Sequence, residues 1–149
     1  MLALAAWVAL SFAAAAPGIA WPPGEWYAQL AKPAWTPPNW VFGPVWTALY
    51  AMMGVAAWRV WRRGGFAKAR GALPLFLAQL ALNAAWTPAF FGLHLPGVAF
   101  AIIAVLWLAI AATARAFLRH DRVASLLLLP YLVWVSYAAA LNLALWRMN

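Results

Sequence analysis

Three stretches of the chain repeat aromatic, amide and small side chains three or four residues apart, a spacing that places them on one face of a helix. These side chains are, in chain order, Trp46, Tyr50 and Met53; Gln79, Asn83, Trp86 or Thr87, and Phe90; and Tyr131, Trp134, Ala138 and Asn142. An amide buried in hydrocarbon without a hydrogen-bond partner is strongly destabilising, so each amide must be paired. For Gln79 and Asn83 the partner is either a neighbouring helix or a bound ligand, and the sequence leaves both interpretations open.

The sharper interpretation of the three faces is a ligand cavity. Ala138 leaves space beside the large side chains, and Trp46, Phe90 and Trp134 supply aromatic walls. Small-molecule pockets are mostly apolar and carry a few placed polar groups. The pattern therefore predicts a site for a large, flat, apolar ligand with a few polar edges.

Other kinds of site lack the residues that they need. The chain has no cysteine, which excludes disulfides, thiolate catalysis and cysteine metal ligands. His94 and His120 lie far apart and outside the apolar stretches, so neither a paired-histidine metal site nor an axial haem ligand is expected. The two acids, Glu25 and Asp121, are expected on opposite sides of the protein and cannot form a carboxylate pair. We predict no metal site, no required cofactor and no proton-coupled pump.

The composition indicates which elements position these side chains. Only 8% of the 149 residues are charged and 68% are hydrophobic, whereas a water-soluble domain carries about 25% charged residues. So few charges cannot cover a soluble globule, and the chain is predicted to be a membrane protein. The formal net charge of +8 is compatible with nucleic-acid binding, but the positions of the bases favour membrane topology, and we expect no nucleic-acid partner.

Stretches without charge determine the predicted number of helices. A helix needs about 20 apolar residues to cross a hydrocarbon core of about 30 Å. The charge-free stretches are residues 1–23, 33–58, 71–114 and 123–146. The third is too long for one crossing and contains a turn marked by Gly and Pro at residues 91–97, and no base precedes the first, which favours a span over a cleaved signal peptide. We predict an all-α membrane protein of one domain, residues 1–149, that forms a five-transmembrane-helix bundle with spans at about 2–20, 41–61, 71–92, 96–118 and 123–146.

The bases lie mainly in two of the predicted links. Eight of the ten are Arg59, Arg62, Arg63, Lys68, Arg70, Arg115, Arg119 and Arg122. With five spans these links share the side of the N-terminus, whereas Lys32 and Arg147 lie on the other side. Because cytoplasmic loops are enriched in Lys and Arg, the N-terminus is predicted to be cytoplasmic and the C-terminus to lie on the opposite side. Contact with anionic lipid headgroups is a second interpretation of the basic run between spans two and three.

The predicted loop between spans one and two, residues 21–40, is long for a compact protein. It carries five Trp or Tyr side chains, which a disordered segment should lack, and two Pro-Pro pairs that stiffen its backbone. We predict that it forms a partly folded lid, with one short helix from Glu25 to Leu30 capped by Gly24. Some of its tryptophans are expected to belong to an ordinary interfacial belt.

Small residues mark two predicted packing faces. Ala5, Ala9 and Ala13 repeat every fourth residue in the first span. In the fourth span, Trp107 is flanked by Ala101, Ala104, Ala111 and Ala112. Small side chains let helices approach closely, within one chain or between two chains, and we therefore expect a homodimer.

Several groups of residues form a specific pattern when they are taken in order along the chain. They are Trp26-Tyr27; Lys32-Pro33-Ala34-Trp35-Thr36-Pro37-Pro38; Trp40-Val41-Phe42; Trp46-Thr47-Ala48-Leu49-Tyr50; Gln79-Leu80, Asn83, Trp86 and Phe90-Phe91; and Pro130-Tyr131-Leu132-Val133-Trp134, Ala138, Leu141 and Asn142. This pattern resembles that of the tryptophan-rich sensory protein / translocator protein family (TspO/MBR, the peripheral-type benzodiazepine receptors). The resemblance runs over almost the whole chain.

The resemblance implies a five-helix membrane bundle, often dimeric, with a pocket under the first loop. Family members bind porphyrins, notably protoporphyrin IX, and benzodiazepine-type or isoquinoline ligands. Carried onto matching positions, the implied pocket residues are Trp26, Tyr27, Pro38, Trp46, Tyr50, Asn83, Phe90, Trp107, Trp134, Ala138 and Asn142. Light-dependent porphyrin breakdown has been proposed for bacterial members, which makes Trp46 and Trp134 the candidate catalytic residues.

The chain departs from the family in one respect. Eukaryotic members bind cholesterol, and the sterol-recognition pattern needs a Tyr with Lys or Arg within about five residues. Here Leu143 follows Asn142 where animal members have Tyr, and Tyr137 lies ten residues before Arg147. Sterol binding is therefore not expected.

The leading functional hypothesis is a membrane binding protein for porphyrin-like tetrapyrroles that acts in their sensing, transport or disposal. The macrocycle would lie between Trp46, Phe90 and Trp134, with its acid groups near Lys32. A rival hypothesis is an enzyme that photo-oxidises bound porphyrin, using tryptophan as an electron or hydrogen donor. A third is a transporter, which the lack of gating charges and of repeated halves disfavours.

Overall fold

The computed structural model describes all 149 residues, and all of its regular elements are helices. In chain order they are α1 (Leu2–Ala13), α2 (Ala16–Ala20), α3 (Glu25–Gln29), α4 (Asn39–Trp61), α5 (Gly65–Lys68), α6 (Ala72–Thr87), α7 (Pro96–Leu118), α8 (Arg122–Leu127) and α9 (Leu129–Met148). α6 continues directly into one π-helical turn, Pro88–Gly92. The predicted all-α class is confirmed.

Four helical stretches are long and apolar enough to cross a membrane. They are Asn39–Trp61, Ala72–Gly92, Pro96–Leu118 and Arg122–Met148. Each agrees with one of the predicted spans two to five to within two residues at either end. α7 begins at a proline because the fixed φ and missing N–H of Pro96 are tolerated in the first turn of a helix.

The first predicted span, residues 2–20, is not one continuous helix. α1 has 12 residues and α2 has five, with a turn between them. Pro17 explains this break, because it lacks the N–H that would donate to the carbonyl of Ala13. α1 alone is too short to cross a core of about 30 Å. A smaller interruption at Leu128 divides the last predicted span into α8 and α9, and Pro130 lies in the first turn of α9.

Three close pairs hold the bundle together: α1 with α4, α6 with α7, and α7 with α9. α8 packs on α4 and α7, whereas α4 and α9 have almost no close backbone contact with each other. Fully buried side chains such as Met53, Phe76 and Phe117 fill the core, and the rings of Phe76 and Phe117 stack with centroids 5.9 Å apart. Large side chains therefore fill the core between α6 and α7.

α1 and α4 approach each other very closely at Gly54. A Cβ built on Gly54 would lie 2.5 Å from the Cα of Val8, so a larger residue would require one backbone to move. The predicted alanine stripe of α1 does not make this contact, because its three members are exposed: Ala5, Ala9 and Ala13. The stripe therefore lies on the outer surface of the protein.

A single acid joins α4 to the turn between α7 and α8. Asp121 is only 4% exposed and accepts hydrogen bonds from Arg59 Nε at 3.0 Å and from Arg63 Nε and Nη2 at 3.1 and 2.9 Å. It also accepts from the N–H of Ala124 at 2.9 Å and so caps α8. Burial by itself raises the pKa of Asp121, but the hydrogen bonds from Arg59, Ala124 and Arg63 outweigh it and hold that pKa well below its usual range.

Replacing Asp121 with Asn should lower the free energy of unfolding by about 1–3 kcal/mol, because two guanidinium groups lose their charged acceptor. A depressed folded-state pKa gives stability that is present above the ordinary carboxyl pKa and is lost only as the pH falls through the lower folded-state value. Thermal unfolding in detergent should therefore show the same difference from wild type at about pH 7 and about pH 5. Glu25→Gln alters an exposed acid and serves as the control; equal effects of the two variants would contradict the assigned role.

Candidate ligand-binding cavity

A cavity of about 460 Å³ lies beneath α3, between the α4 and α9 halves of the bundle. Its wall is formed by the turn between α1 and α2 and by α2, α4, α6 with its π-helical turn, α7 and α9, together with side chains from the segment around α3. Seventeen of the 24 lining residues are hydrophobic, which suits an apolar ligand. The volume falls within the range of about 300–1,000 Å³ that is usual for small-molecule sites.

Eight of the eleven residues named from the sequence line this cavity. They are Tyr27, Trp46, Tyr50, Asn83, Phe90, Trp134, Ala138 and Asn142. α4, α6 and α9 each present several of them because the residues are three or four apart and so share a helix face. The rings of Trp46 and Tyr50 stack with centroids 5.4 Å apart, and Trp46 also meets Tyr131 edge-on at 6.2 Å.

The other three named residues lie elsewhere. Trp26 stacks on His94, with centroids 4.3 Å apart, and lines a separate groove of about 290 Å³. Its ring also contacts the Phe90 ring edge-on, with centroids 5.5 Å apart. Pro38 precedes the first residue of α4 and does not line the cavity. Trp107 lies on the outer face of α7, where it is 36% exposed and donates to Ser136 Oγ at 2.7 Å.

The amides at the inner end of the cavity are paired between helices. Tyr50 Oη donates to Asn83 Oδ1 at 2.6 Å, and Asn83 Nδ2 donates to Tyr131 Oη at 2.8 Å. Tyr131 Oη in turn donates to Gln79 Oε1 at 2.7 Å. Interhelical pairing is thus the arrangement adopted by Gln79 and Asn83, and it links α4, α6 and α9. Asn83 and Tyr50 also face the cavity, so both interpretations apply to Asn83.

A second amide fixes the lid end of α9. Asn142 Oδ1 accepts from Trp86 Nε1 at 2.9 Å, and Asn142 Nδ2 donates to the carbonyl of Pro96 at 2.8 Å. These bonds connect α9 to α6 and to the first turn of α7. Because the amide oxygen and nitrogen are both engaged, Asn142 positions the wall, and Trp86 joins the residues that line the cavity.

One polar atom in the wall has no partner. Trp134 Nε1 is buried and makes no hydrogen bond, and it is the one such side-chain nitrogen or oxygen in the structure. The Trp134 ring meets Phe42 edge-on at 6.0 Å and Tyr137 in a tilted contact at 5.6 Å. An unpaired buried donor is destabilising unless an acceptor is supplied. Trp134 is also one of the residues that line the cavity.

The segment around α3 closes the cavity from above. The predicted short helix is present, but it ends at Gln29, one residue earlier than expected, and Gly24 precedes its first residue. Tyr27 is 4% exposed and packs on Phe90 and Phe91 at centroid distances of 6.4 and 5.4 Å. Burial, and then the nearby Tyr137, raise the pKa of Tyr27. Lys32 Nζ lies 4.7 Å from the centroid of the Tyr27 ring.

Hydrogen bonds fasten this segment to α9. Asn149 Oδ1 accepts from the N–H of Ala31 at 2.9 Å, and Asn149 Nδ2 donates to the carbonyl of Ala31 at 3.0 Å. Tyr137 Oη donates to the carbonyl of Trp35, and the two rings meet edge-on at 5.6 Å. The lid is therefore held at two points along its length.

Several lining residues were not named from the sequence. Phe42 lies one turn before Trp46 on the same face, so extending the helical spacing backwards would have found it. Phe91 lines the cavity next to Phe90 because the π-helical turn alters the rotation of successive side chains. Pro88, which lacks an N–H, is the local signal for that turn. Trp21 and Pro23 lie in the predicted lid, residues 21–40, but neither was named as a pocket residue.

The sequence pattern of the TspO/MBR family matches residues 1–147. The chain belongs to the TspO/MBR family. The TspO/MBR chain is 46% identical to the tryptophan-rich sensory protein of Cereibacter sphaeroides over 127 residues, 85% of this chain and 78% of that protein. It is 46% identical to the human translocator protein over 127 residues, 84% and 75% of the two chains. With the tryptophan-rich protein TspO of Archaeoglobus fulgidus it shares 43% identity over 124 residues, 83% and 80% of the two chains.

Membership of the TspO/MBR family, together with four long apolar helices, identifies an integral membrane protein. Exposed apolar side chains are expected on such a protein, because lipid surrounds it. The interior of this TspO/MBR chain contains a cavity of about 460 Å³ and one buried side-chain donor without a partner.

Tyr131→Phe should destabilise the protein more than Tyr50→Phe. The Tyr131 hydroxyl serves two partners, Asn83 and Gln79, whereas the Tyr50 hydroxyl serves only Asn83. We expect a loss of about 1–2 kcal/mol for Tyr131→Phe and about half of that for Tyr50→Phe, since interhelical hydrogen bonds in membranes are individually modest. Thermal unfolding in detergent measures both, and the reverse order would contradict the network.

Proposed function

We propose that the protein binds a flat, apolar tetrapyrrole of the protoporphyrin IX type in the cavity beneath α3, as part of porphyrin sensing, transport or disposal. One observation carries the proposal: Trp46, Phe90 and Trp134 wall an apolar cavity, and Nε1 of Trp134 is the one buried side-chain donor without a hydrogen-bond partner. Relatives named tryptophan-rich sensory protein and translocator protein support a ligand-responsive role. The same cavity suits benzodiazepine-type ligands, which are also flat and largely apolar.

The aromatic residues of the cavity wall determine the proposed pose of the ligand. The macrocycle lies between Trp46, Phe90 and Trp134, where each aromatic contact contributes about 0.5–1.5 kcal/mol beyond the burial of area. A polar atom at the ring edge accepts from Trp134 Nε1. Lys32 does not line the cavity, because its ammonium donates to the carbonyls of Ala28 and Leu30 and lies against the ring of Tyr27. The acid groups of the ligand are therefore assigned to the open rim of the cavity.

The membrane arrangement is also part of the proposal. α1 and α2 together cover residues 2–20, about 28 Å at 1.5 Å per residue, and act as a fifth span with a central break. α1 begins at the end of the bundle that carries the bases, since Trp7 packs on Phe66 and Phe76. Because cytoplasmic loops are enriched in Lys and Arg, the N-terminus is then assigned to the cytoplasm. The lid and the C-terminus are assigned to the opposite side of the membrane.

Contacts with lipid and with a second copy are assigned to the exposed faces. The outer face of α7 carries exposed apolar side chains beside Trp107, including Val105 and Leu108. The alanine stripe of α1 is exposed as well. We assign most of the exposed apolar surface to membrane lipid. We assign the alanine stripe of α1 and the alanines that flank Trp107 on α7 to a homodimer.

A second candidate function is an enzyme that breaks down bound porphyrin oxidatively in light. The observation that favours it is a run of redox-active rings at the wall: Trp46 stacks on Tyr50 and contacts Tyr131. Illumination of the porphyrin complex in air distinguishes the two functions. An enzyme forms a defined new product faster than free porphyrin bleaches, and Trp134→Phe slows it; a binding protein shows neither effect.

Trp46→Phe and Trp134→Phe should each weaken binding of protoporphyrin IX by about 2- to 12-fold, as loss of one aromatic contact implies. Trp134→Phe should leave the free protein as stable as wild type or slightly more stable, because it removes an unpaired buried donor. Quenching of tryptophan fluorescence measures the affinity, and thermal unfolding measures the stability. Trp107→Phe lies outside the cavity and is the control. Wild-type affinity in the Trp46→Phe/Trp134→Phe double variant would contradict this site.

A further inference from the structure

Only a few of the residues that line the cavity are exposed at the surface of the protein. Most of its lining residues are buried or half-buried, but five are exposed: Gly18, Trp21, Pro23, Asn39 and Gly43. These five belong to α2, to the segment that follows it and to the first turns of α4. The opening that they form is called here the α2–α4 mouth.

The surroundings of the α2–α4 mouth are apolar. Ile19, the neighbour of Gly18, is 84% exposed, and Trp40, between Asn39 and Gly43, is 75% exposed. In a membrane protein, large apolar side chains that point outwards contact lipid, and tryptophan is enriched at the membrane–water interface. The mouth therefore opens towards the bilayer near its interface.

The part of the lid from α3 to Ala31 offers no comparable opening. Tyr27 lines the cavity and is buried against Phe90 and Phe91. Ala31 is fastened to Asn149 by two hydrogen bonds. A route through this part of the lid would require these contacts to break, whereas the residues at the α2–α4 mouth are exposed.

We propose that ligands pass into the cavity sideways from the membrane through the α2–α4 mouth, and that Gly18 and Gly43 determine its width. The nature of the ligand, a flat apolar molecule that first dissolves in the bilayer, rests on the proposed function. A Cβ built on Gly18 or on Gly43 meets no atom within 4 Å, and neither residue has a positive φ. The missing side chains therefore leave open space at the mouth. A ring system passes this slot edge-on, and a larger side chain at either position narrows it without disturbing the packing.

The absence of cysteine allows a direct test of access. Ala138→Cys places a single thiol in the cavity wall, and the probe is N-phenylmaleimide, an apolar reagent, added to the protein in phospholipid nanodiscs. The reaction rate of this thiol is measured in the Ala138→Cys background alone and with Gly18→Leu/Gly43→Leu. Gly71→Leu is the matched control, because Gly71 is also exposed, has open space at Cβ and lies outside the cavity lining.

We expect Gly18→Leu/Gly43→Leu to slow labelling by about fivefold or more, and Gly71→Leu to change it by less than about twofold, since a narrowed passage limits the rate of access. Gly18→Ala/Gly43→Ala should give a smaller slowing in the same direction, and it replaces the leucine variant if that variant does not fold. Equal labelling rates in the mouth variants and in Gly71→Leu would overturn the proposal.

Protoporphyrin binding is measured separately on the same proteins with their native Ala138. If the mouth variants slow labelling but the wild type binds no porphyrin, the proposed function is rejected and the proposed entry route is retained. If labelling is unchanged in the mouth variants but porphyrin binding is normal, the proposed entry route is rejected and the proposed function is retained.

Discussion

A polar atom inside a hydrocarbon layer must have a partner, and this constraint organises the whole interior. Tyr50, Asn83, Tyr131 and Gln79 satisfy it with three short hydrogen bonds that tie α4, α6 and α9 together. Asn142 satisfies it near the lid by bonding Trp86 and the carbonyl of Pro96. α4 and α9 have almost no close backbone contact, so side chains hold them at a distance, and the space between them remains as the cavity. The exception, Trp134 Nε1, lies in the wall of that space.

The two ends of the bundle are closed by different means. At the basic end, Asp121 is surrounded by Arg59, Arg63 and the N–H of Ala124, so that a charge cluster fixes α4 against the start of α8. At the other end, aromatic packing of Tyr27 and the bonds made by Asn149 hold the lid. Charge is thus confined to the ends, where water can reach it, and the site is built from tryptophan, tyrosine, amides and small residues. That division explains how so few charged residues suffice.

Much of this arrangement was predictable from particular residues. Charges and the Gly- and Pro-marked turn at residues 91–97 delimit spans two to five, and the predicted ends agree with the structure to within two residues. Helical spacing correctly grouped Trp46 with Tyr50, because a 3.6-residue period fixes which side chains share a face. Trp107 was assigned to the pocket, yet it faces outwards, since the rotation of α7 about its axis depends on packing rather than on local spacing. The break in the first span was missed although Pro17 marks it. The pairing of Asp121 with bases about sixty positions earlier was not visible, because such contacts arise only from the tertiary fold.

The central claim is that a flat apolar ligand completes the wall of the cavity by accepting from Trp134 Nε1. Protein labelled with ¹⁵N at tryptophan gives one indole N–H resonance for each tryptophan, and loss of a peak in Trp134→Phe assigns the resonance of interest. On titration with protoporphyrin IX in nanodiscs, the Trp134 resonance should shift downfield as its N–H gains an acceptor, while that of Trp107 should stay in place. A Trp134 resonance that does not move while the protein becomes saturated with porphyrin would contradict the account.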